Sequence, residues 1–454
     1  MKFTNILLIF LISSTFSLET EKLSKYTYIN LSDADSKVNG QLLSSTPLNG
    51  VSIVGDTMEI TEPGQYVLNG AYNGQVWVKL SDSTEEVTLI FSGATITNKN
   101  GPAVLITSAR ELDSTTYSRT NQMTYAKALA LNFNNAGIKV VISDDTVNTV
   151  NGGSTSSYDG AFYSKVSMLI SGESKNTGVL TVIGSNEGLD TEKHLKIEGG
   201  IINISASDDG INTNLDYGSV VLITGGKVTV NGGNGQEGDG IDSNGMIVIT
   251  GGVVTAAAKP GADSGLDSNI GTIIDGGVVI GVGSTMDGAD DGCGQVSMNL
   301  EFNTACGTSS VLKITDSSGN ELFSFSPATA GFVDGSTLKT YTGATVSIPE
   351  FKLNTVYYLY LDGVQQGFTS NSHVGPTPPH FGRKLFGGNF FGGRKHREHG
   401  RHHHHEQEDE HDYKHHHDKK DDDDSLGEEN DTIKSDFTLS KNMMYFSGIQ
   451  KYSK

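Results

Sequence analysis

The stretch Gly240-Ile241-Asp242-Ser243-Asn244 decides how this chain folds, because close copies of it recur along the sequence. The other copies begin at Gly188, Gly210 and Gly265, and each is followed by a short apolar run that ends in a glycine pair. The glycine pairs stand at 199–200, 225–226, 251–252 and 276–277, which spaces them 26, 26 and 25 residues apart. A fixed spacing of this size is typical of stacked supersecondary units.

The runs between the glycines indicate strands. Val220-Val-Leu-Ile-Thr224 and Met246-Ile-Val-Ile-Thr250 are short, rich in β-branched residues and without helical periodicity. Three short strands in each repeat predict a parallel β-helix, a solenoid whose inward Ile, Val and Leu side chains stack on those of the next turn, with glycine at the tight corners. A leucine-rich horseshoe needs a leucine spacing that is absent, and a propeller blade needs about 40 residues or more.

Composition excludes several classes of protein. The chain has 56 glycines among 454 residues but only 9 prolines, and no three-residue period, which excludes collagen. Asp and Glu number 53 against 32 Lys and Arg, a net charge of −21, which argues against nucleic-acid binding. No apolar run is long enough to cross a bilayer, so we expect no membrane span, and we expect a monomer.

The sequence divides into five predicted segments. Residues 1–17 have the basic start and short apolar core of a secretory signal peptide, so we expect a secreted, extracellular protein. A polar leader (18–45), the parallel β-helix as a carbohydrate-binding domain (46–308), a small β cap (309–368) and a His-rich acidic disordered tail (369–454) follow. Residues 377–454 hold 11 of the 13 histidines, which could bind transition metals, and low-complexity drift without function is the alternative.

Two kinds of covalent modification are predicted for a secreted chain. Cys293 and Cys306 are the only cysteines, and an oxidising compartment favours a disulfide between them, with two free thiols as the alternative. Glycosylation sequons stand at Asn30, Asn203 and Asn430.

Stacked repeats place like residues above one another, about 4.8 Å apart. The two columns that result are Asp190, Asn212, Asp242, Asp267 and Glu187, Asp209, Asp239, Ser264. Two carboxylates at that separation repel by about 3.5 kcal/mol at an effective dielectric constant of about 20, a cost that a bound cation removes.

Calcium is the simplest cation for such columns, because it takes six to eight oxygen ligands from Asp, Asn and carbonyl groups. Residues 141–300 hold 20 acids against 6 lysines and no arginine, so the charge is concentrated where the repeats are. The predicted Ca²⁺ ligands are Asp190, Asp209, Asn212, Asp239, Asp242 and Asp267. The alternative is that Asp and Asn are only favourable turn residues at solvated corners.

Three features resemble a known family: the segment Asn148-Thr-Val-Asn151, the strand from Tyr163 to Gly172 and the serial Asp-Gly-Ile segments. Over roughly residues 46–300 they resemble secreted carbohydrate-binding right-handed parallel β-helix proteins, described in cellulolytic clostridia and distantly similar to family 9 polysaccharide lyases. The resemblance implies Ca²⁺ held by stacked Asp residues and binding of cellulose or acidic polysaccharides such as polygalacturonate. Asn212 departs from an all-Asp column and puts one ion position in doubt.

Three functions follow from these patterns. The first is a non-catalytic, calcium-dependent polysaccharide-binding protein, whose sugar contacts could include Tyr158, Tyr163 and Tyr217, although core or edge packing is the alternative for each ring. The second is a pectate-type lyase acting by calcium-assisted β-elimination, with Lys193 as base; a surface role is the alternative for that lysine. The third is a structural or adhesive surface protein whose His-rich tail binds metal. We favour the first and leave catalysis open.

Overall fold

A computed structural model describes residues 25–235, 238–284, 287–368, 370–372, 434–440 and 442–451. These residues form mostly β-strands, which confirms the predicted all-β class. No helix among them is long and apolar enough to cross a lipid bilayer. The predicted signal peptide and the histidines from His380 to His417 lie outside the described residues.

The strands of the first part of the chain are β1 Thr27–Leu31, β2 Lys37–Val38, β3 Gln41–Leu42, β4 Val51–Val54, β5 Thr57–Ile60, β6 Gly64–Asn73, β7 Gln75–Lys79, β8 Val87–Asn98, β9 Val104–Ser108, β10 Ile138–Ile142, β11 Val147–Gly152, β12 Gly160–Ser164, β13 Met168–Gly172, β14 Val179–Gly184, β15 Glu187–Thr191, β16 His194–Ile197, β17 Ile201–Ala206 and β18 Ile211–Thr213.

The later strands are β19 Val220–Ile223, β20 Lys227–Asn231, β21 Ile241–Ser243, β22 Met246–Ala257, β23 Leu266–Ser268, β24 Gly271–Gly283, β25 Ser297–Cys306, β26 Leu312–Asp316, β27 Glu321–Phe325, β28 Val333–Asp334, β29 Thr337–Leu338, β30 Tyr341–Ser347, β31 Val356–Leu361, β32 Val364–Gly367, β33 Ser370–Ser372, β34 Phe437–Thr438 and β35 Met443–Lys451. The helices are α1 Tyr125–Ala130, a 3₁₀ turn Phe133–Asn135 and α2 Pro327–Ala330.

Like residues of successive repeats pair in parallel. In a nine-stranded sheet of order β23-β21-β18-β15-β12-β9-β7-β5-β4, Leu189 lies opposite Ile211, Ile211 opposite Ile241, and Ile241 opposite Leu266. The inward row of this sheet is at most 1% exposed in every strand from β5 to β23: Met58, Val76, Val104, Phe162, Leu189, Ile211, Ile241 and Leu266. Each of these buried side chains stabilises the fold by about 1.5–3 kcal/mol.

The recurring glycine pairs form corners, as their spacing predicts. The second glycine of each pair has a positive φ: +84° at Gly200, +82° at Gly226, +85° at Gly252 and +86° at Gly277. Glycine adopts this region without steric cost. A Cβ on Gly226 would also lie 2.8 Å from the carbonyl oxygen of Gly200, so the stacked backbones leave no room for a side chain.

The repeat spacing and the family resemblance predict an open right-handed parallel β-helix over residues 46–308, and this prediction is wrong: the large sheet closes into a ten-strand parallel β-barrel. Its pairings run around the ring β8, β10, β13, β16, β19, β22, β20, β17, β14, β11 and back to β8. The physical reason is the length of β8 and β22. Each continues through a glycine and pairs with different strands at its two ends, which joins two ladders into one closed sheet.

Part of the predicted polar leader belongs to the folded structure. Strand β1 pairs in parallel with β6, with Thr27 opposite Tyr66, and the short strands β2 and β3 continue from it. Ile29 and Leu31 are buried in the main apolar cluster. The described part of the predicted leader, residues 25–45, is therefore paired and packed with the rest of the fold.

A segment that the repeats do not predict lies between β9 and β10. It contains α1 and the 3₁₀ turn, and its Met123, Ala128 and Phe133 form an apolar cluster with Val220 and Val248. The outward side chains of β19 and β22 are thus covered by this insertion and are not open to a ligand.

Strands β25 to β35 form a second apolar cluster, which we call the cap cluster. The end of the predicted disordered tail belongs to it: β35 pairs in parallel with β25, and Phe437, Leu439 and Phe446 are buried. Prediction of a disordered tail over residues 369–454 is therefore wrong for residues 434–440 and 442–451, whose buried apolar side chains complete the cap.

The predicted disulfide is not formed. Cys293 and Cys306 are both free and buried, and they belong to different apolar clusters. Burial raises the pKa of the Cys293 thiol to about 11 and that of Cys306 to about 12, so both are protonated and unreactive at neutral pH.

We expect Gly226→Ala to destabilise the fold by more than Gly319→Ala. Both positions have a similar positive φ, +82° and +84°, so each substitution costs about 1–2 kcal/mol of backbone strain. Only Gly226 adds a backbone clash, since a Cβ on Gly319 meets nothing within 4 Å. Urea unfolding of both variants measures the difference, and equal losses of stability would contradict the packing described for this corner.

Candidate functional site

The outer face of the nine-stranded sheet carries a continuous row of side chains. Because side chains alternate along a strand, the residue after each member of the inward row points outward. In register, this row reads Glu59, Trp77, Leu105, Tyr163, Asp190, Asn212, Asp242 and Asp267. The row therefore changes from large hydrophobic and aromatic residues to acids and amides at β15.

A second set of acids lies beside this row, just before the repeated glycines. The N–H of Gly188 donates to the carbonyl of Asp209 at 3.0 Å, and the N–H of Gly210 donates to the carbonyl of Asp239 at 3.1 Å. These bonds align the residues before the glycines in neighbouring strands. We call Glu187, Asp190, Asp209, Asp239, Asp242 and Asp267 the acidic column. The structure thus brings the predicted Asp ligands into one stack, with Asn212 among them.

Neutral donors orient the carboxylates of the acidic column. Asn212 Nδ2 donates to Glu187 Oε1 at 2.9 Å. The backbone N–H of Asp239 donates to Asp209 Oδ1 at 2.7 Å, and the N–H of Ser264 donates to Asp239 Oδ1 at 2.6 Å. These groups supply hydrogen bonds but no positive charge.

Two acids of the column are buried and the other four are half-buried. Glu187 and Asp190 are only 8% and 1% exposed. Among the described residues, no ion pair of a lysine or arginine includes Glu187, Asp190, Asp209, Asp239 or Asp242. Repulsion between the carboxylates is therefore not offset by any of these ion pairs.

Burial raises the pKa of these carboxyls well above their usual range, and their acidic neighbours raise it further. The pKa of Glu187 is raised by burial and then by the charge of Asp190, and that of Asp209 by burial and then by Asp242. For Asp242, burial and then the charge of Asp267 raise the pKa to about 8. Without a cation, part of the column therefore stays protonated at neutral pH.

The donor chemistry of the column fits a hard divalent cation. Glu187 Oε2 and Asn212 Oδ1 are buried with no hydrogen-bond partner, and every side-chain donor of the column is a carboxylate or amide oxygen. The acids approach one another in pairs, such as Asp242 with Asp267. Within the described ranges, no three or more His, Cys, Asp or Glu side chains are grouped in an arrangement that could hold a metal ion.

The proposed lyase base, Lys193, forms no ion pair with the acidic column among the described residues. Lys193 follows Asp190 closely in sequence, but its backbone N–H bonds to Thr191 Oγ1 at 3.3 Å and its charge acts on the buried His194. His194 lies under the insertion between β9 and β10, with its ring 6.4 Å from that of Tyr117.

The three candidate tyrosines differ in their accessibility. Tyr163 is only 3% exposed, and its hydroxyl donates to a carboxylate oxygen of Glu192, so its ring is not available to a sugar. Tyr158 is half-buried and stands edge-on to Tyr163, with ring centroids 5.0 Å apart. Tyr217 is half-buried, and its carbonyl accepts a hydrogen bond from Met123 of the insertion.

One exposed cation beside the column escapes sequence analysis. Lys165 is exposed, its Nζ lies 5.2 Å from the ring centroid of Tyr158, and it directly follows β12, which pairs with β15. Lys165 precedes the repeated acidic segments, so their pattern does not point to it. Strand alternation from the inward Phe162 would have predicted an outward side chain at Lys165, two residues after Tyr163.

Comparisons with known proteins identify a family for this chain. A family model described as "Carbohydrate-binding domain-containing protein" matches residues 54–137 and 120–299. A search of curated proteins finds no match. Among solved structures, the "polysaccharide lyase-like protein from C. thermocellum", as a gadolinium derivative, is similar at 21% identity and a TM-score of 0.39, over 56% of this chain and 88% of that chain. That structural likeness is too low to support an argument. Because the family matches extend over more than half of its length, this chain belongs to the carbohydrate-binding domain-containing proteins.

Proposed function

We propose that this chain is a secreted, non-catalytic protein that binds acidic polysaccharides such as polygalacturonate in a calcium-dependent way. Membership of a carbohydrate-binding family supports the polysaccharide as ligand. The observation that supports the calcium dependence is the acidic column, a stack of buried and half-buried carboxylates in which Glu187 and Asp209 accept hydrogen bonds from neutral donors. When bound, Ca²⁺ would neutralise paired carboxylates and join them to the carboxylate of a uronic acid.

The chain's own residues would perform three tasks in this binding. Asp209, Asp242 and Asp267 would supply charged oxygens, and Asn212 would supply the amide oxygen that has no partner inside the protein. The neutral donors around Glu187 and Asp239 keep the carboxylates in place before a cation arrives. Because β15, β18, β21 and β23 are adjacent, the column extends over about 14 Å, a length suited to an extended chain of sugars.

Turnover is not part of the proposal. β-Elimination needs a base next to the uronate, and Lys193 is placed beside His194, with no ion pair to the acidic column among the described residues. Transition-metal binding by the His-rich segment stays a prediction, since those histidines lie outside the described residues.

Binding to polygalacturonate should require both Ca²⁺ and the acidic column. We expect a chelator, or the double substitution of Asp209 and Asp242 by Asn, to weaken binding by about tenfold or more, which corresponds to about 1.4 kcal/mol. Asp216→Asn serves as the control, because Asp216 is exposed and outside the column. Affinity electrophoresis in polygalacturonate gels measures the effect.

Insoluble cellulose in a parallel pull-down tests the neutral polysaccharide, which we expect to be bound less. Absorbance of unsaturated uronate, followed in the same samples, should stay flat. Binding that is unaffected by chelator and by the double substitution would contradict the proposed role of the column.

Stability of the cation-free protein should fall as pH rises from about 5 to about 8. The folded-state pKa of Asp242 is raised from 3.8 to about 8, so the folded state binds protons that the unfolded state has already released, and folding loses this stabilisation as pH increases. Thermal unfolding in chelator and in Ca²⁺ measures the slope.

With Ca²⁺ present we expect a flatter profile, because the cation stabilises the ionised carboxylates. Asp242→Asn should flatten the chelator profile as well, whereas Asp216→Asn should leave it unchanged. A melting temperature that rises between these pH values in chelator would contradict the raised pKa of Asp242 and the repulsion between the carboxylates of the column.

A further inference from the structure

A groove on the N-terminal part of the large sheet has the composition of a sugar site. It has a volume of about 390 Å³ and is lined by side chains of β1, β2, β6 and β8, including Tyr28, Asn30, Lys37, Asn69 and Ser92. No carboxylate is among the described residues that line it. It lies on a different sheet from the strands that hold the acidic column.

Tyr28 offers an aromatic surface at this groove. It is 38% exposed, which is unusual for a large ring in this chain, and its neighbour Tyr26 stands edge-on at 6.3 Å between centroids. Tyr26 therefore supports the ring of Tyr28 from one side. An exposed ring beside polar groups offers an apolar surface flanked by hydrogen-bonding groups, which is typical of a small-ligand site.

Two amide side chains lie next to each other in the groove. Asn30 of β1 is directly opposite Asn69 of β6, and both are exposed. Asn69 Nδ2 donates to the carbonyl of Ser92 at 2.5 Å, which orients this amide and leaves its oxygen as an acceptor. An amide both donates and accepts, so a pair of amides matches neighbouring hydroxyl groups, which also do both.

Lys37 adds a positive charge to the groove. It pairs with Asn30 across the two strands, and its Nζ is 3.6 Å from Asp35 Oδ2 in an ion pair whose side chains are 42% and 59% exposed. Exposed ion pairs of this kind contribute little, so the ammonium group can exchange Asp35 for another carboxylate at small cost.

We propose that this groove is a second sugar-binding site, which holds one uronic acid residue without a metal ion. The ring of Tyr28 packs against the sugar, Asn30 and Asn69 bind its hydroxyls, and Lys37 binds its carboxylate. The ligand class rests on the proposed function, but the site uses none of the acidic column. A polysaccharide long enough to reach both would be held at two places.

Titration of the full chain with trigalacturonate in excess chelator tests this site directly. The protein is made in a bacterial host so that Asn30, which lies in a glycosylation sequon, stays unmodified. We expect chelator-resistant binding that is tighter for trigalacturonate than for cellotriose. Tyr28→Ala should weaken it about tenfold, Lys37→Gln should abolish the preference for the charged sugar, and the distant Tyr360→Ala should change nothing.

Absence of chelator-resistant binding, or equal effects of Tyr28→Ala and Tyr360→Ala, would overturn the proposal. The outcomes separate it from the calcium-dependent function. If only the Tyr28 and Lys37 variants lose binding and Ca²⁺ has no effect, the groove is supported as a sugar site and the acidic column is rejected as one. If binding depends on Ca²⁺ and on the acidic column but not on Tyr28 or Lys37, the groove alone is rejected. Protein from a host that glycosylates Asn30 should lose chelator-resistant binding, because its own glycan would fill the groove.

Discussion

In-register parallel pairing of the repeats is the constraint on which the rest of the structure depends. When Leu189, Ile211, Ile241 and Leu266 stack inside the nine-stranded sheet, the residues that follow them must stack outside it. The register that buries the apolar row therefore also brings carboxylates together. Two charges at a strand spacing of about 4.8 Å repel by about 3.5 kcal/mol at an effective dielectric constant of about 20.

The fold tolerates this repulsion because the inward row is continuous and its apolar side chains contribute a large burial free energy. Each of its eight members is at most 1% exposed, and each contributes about 1.5–3 kcal/mol. Protonation lowers the repulsion in the cation-free state, as the raised pKa of Asp242 indicates. A cation would lower it without protonation, and would leave charge available for a ligand. Cation binding to the acidic column would therefore be coupled to the protonation of its carboxyls and to the stability of the fold.

Sequence patterns predict the local rules of this fold better than its closure. The glycine pairs predict corners, because glycine adopts without steric cost the positive φ found at Gly226 and Gly252. The columns follow from the same spacing, which is why Asp190 and Asn212 are correctly expected side by side. Closure of the barrel depends on β8 and β22 continuing through a corner, and no local pattern distinguishes a strand that stops at glycine from one that continues.

Other features could not be predicted because they depend on contacts between residues that are far apart in the sequence. Strand β35 follows a long charged segment whose composition hides the alternation of Met444, Phe446 and their neighbours, and its partner β25 lies more than a hundred residues earlier. The hydroxyl of Tyr163 likewise bonds to Glu192, which follows a different strand. The groove at Tyr28 is formed partly by β1 and β2, which composition alone assigns to a polar leader.

Calorimetric titration of Ca²⁺ at neutral pH, in two buffers of different ionisation enthalpy, tests the central claim most directly. If the cation binds to the acidic column, carboxyls with raised pKa must lose their protons, so the two titrations should differ by the heat of proton release. This difference should shrink in Asp242→Asn and persist in Asp216→Asn. Binding with no proton release, or no binding at all, would contradict the account of the column as a cation site.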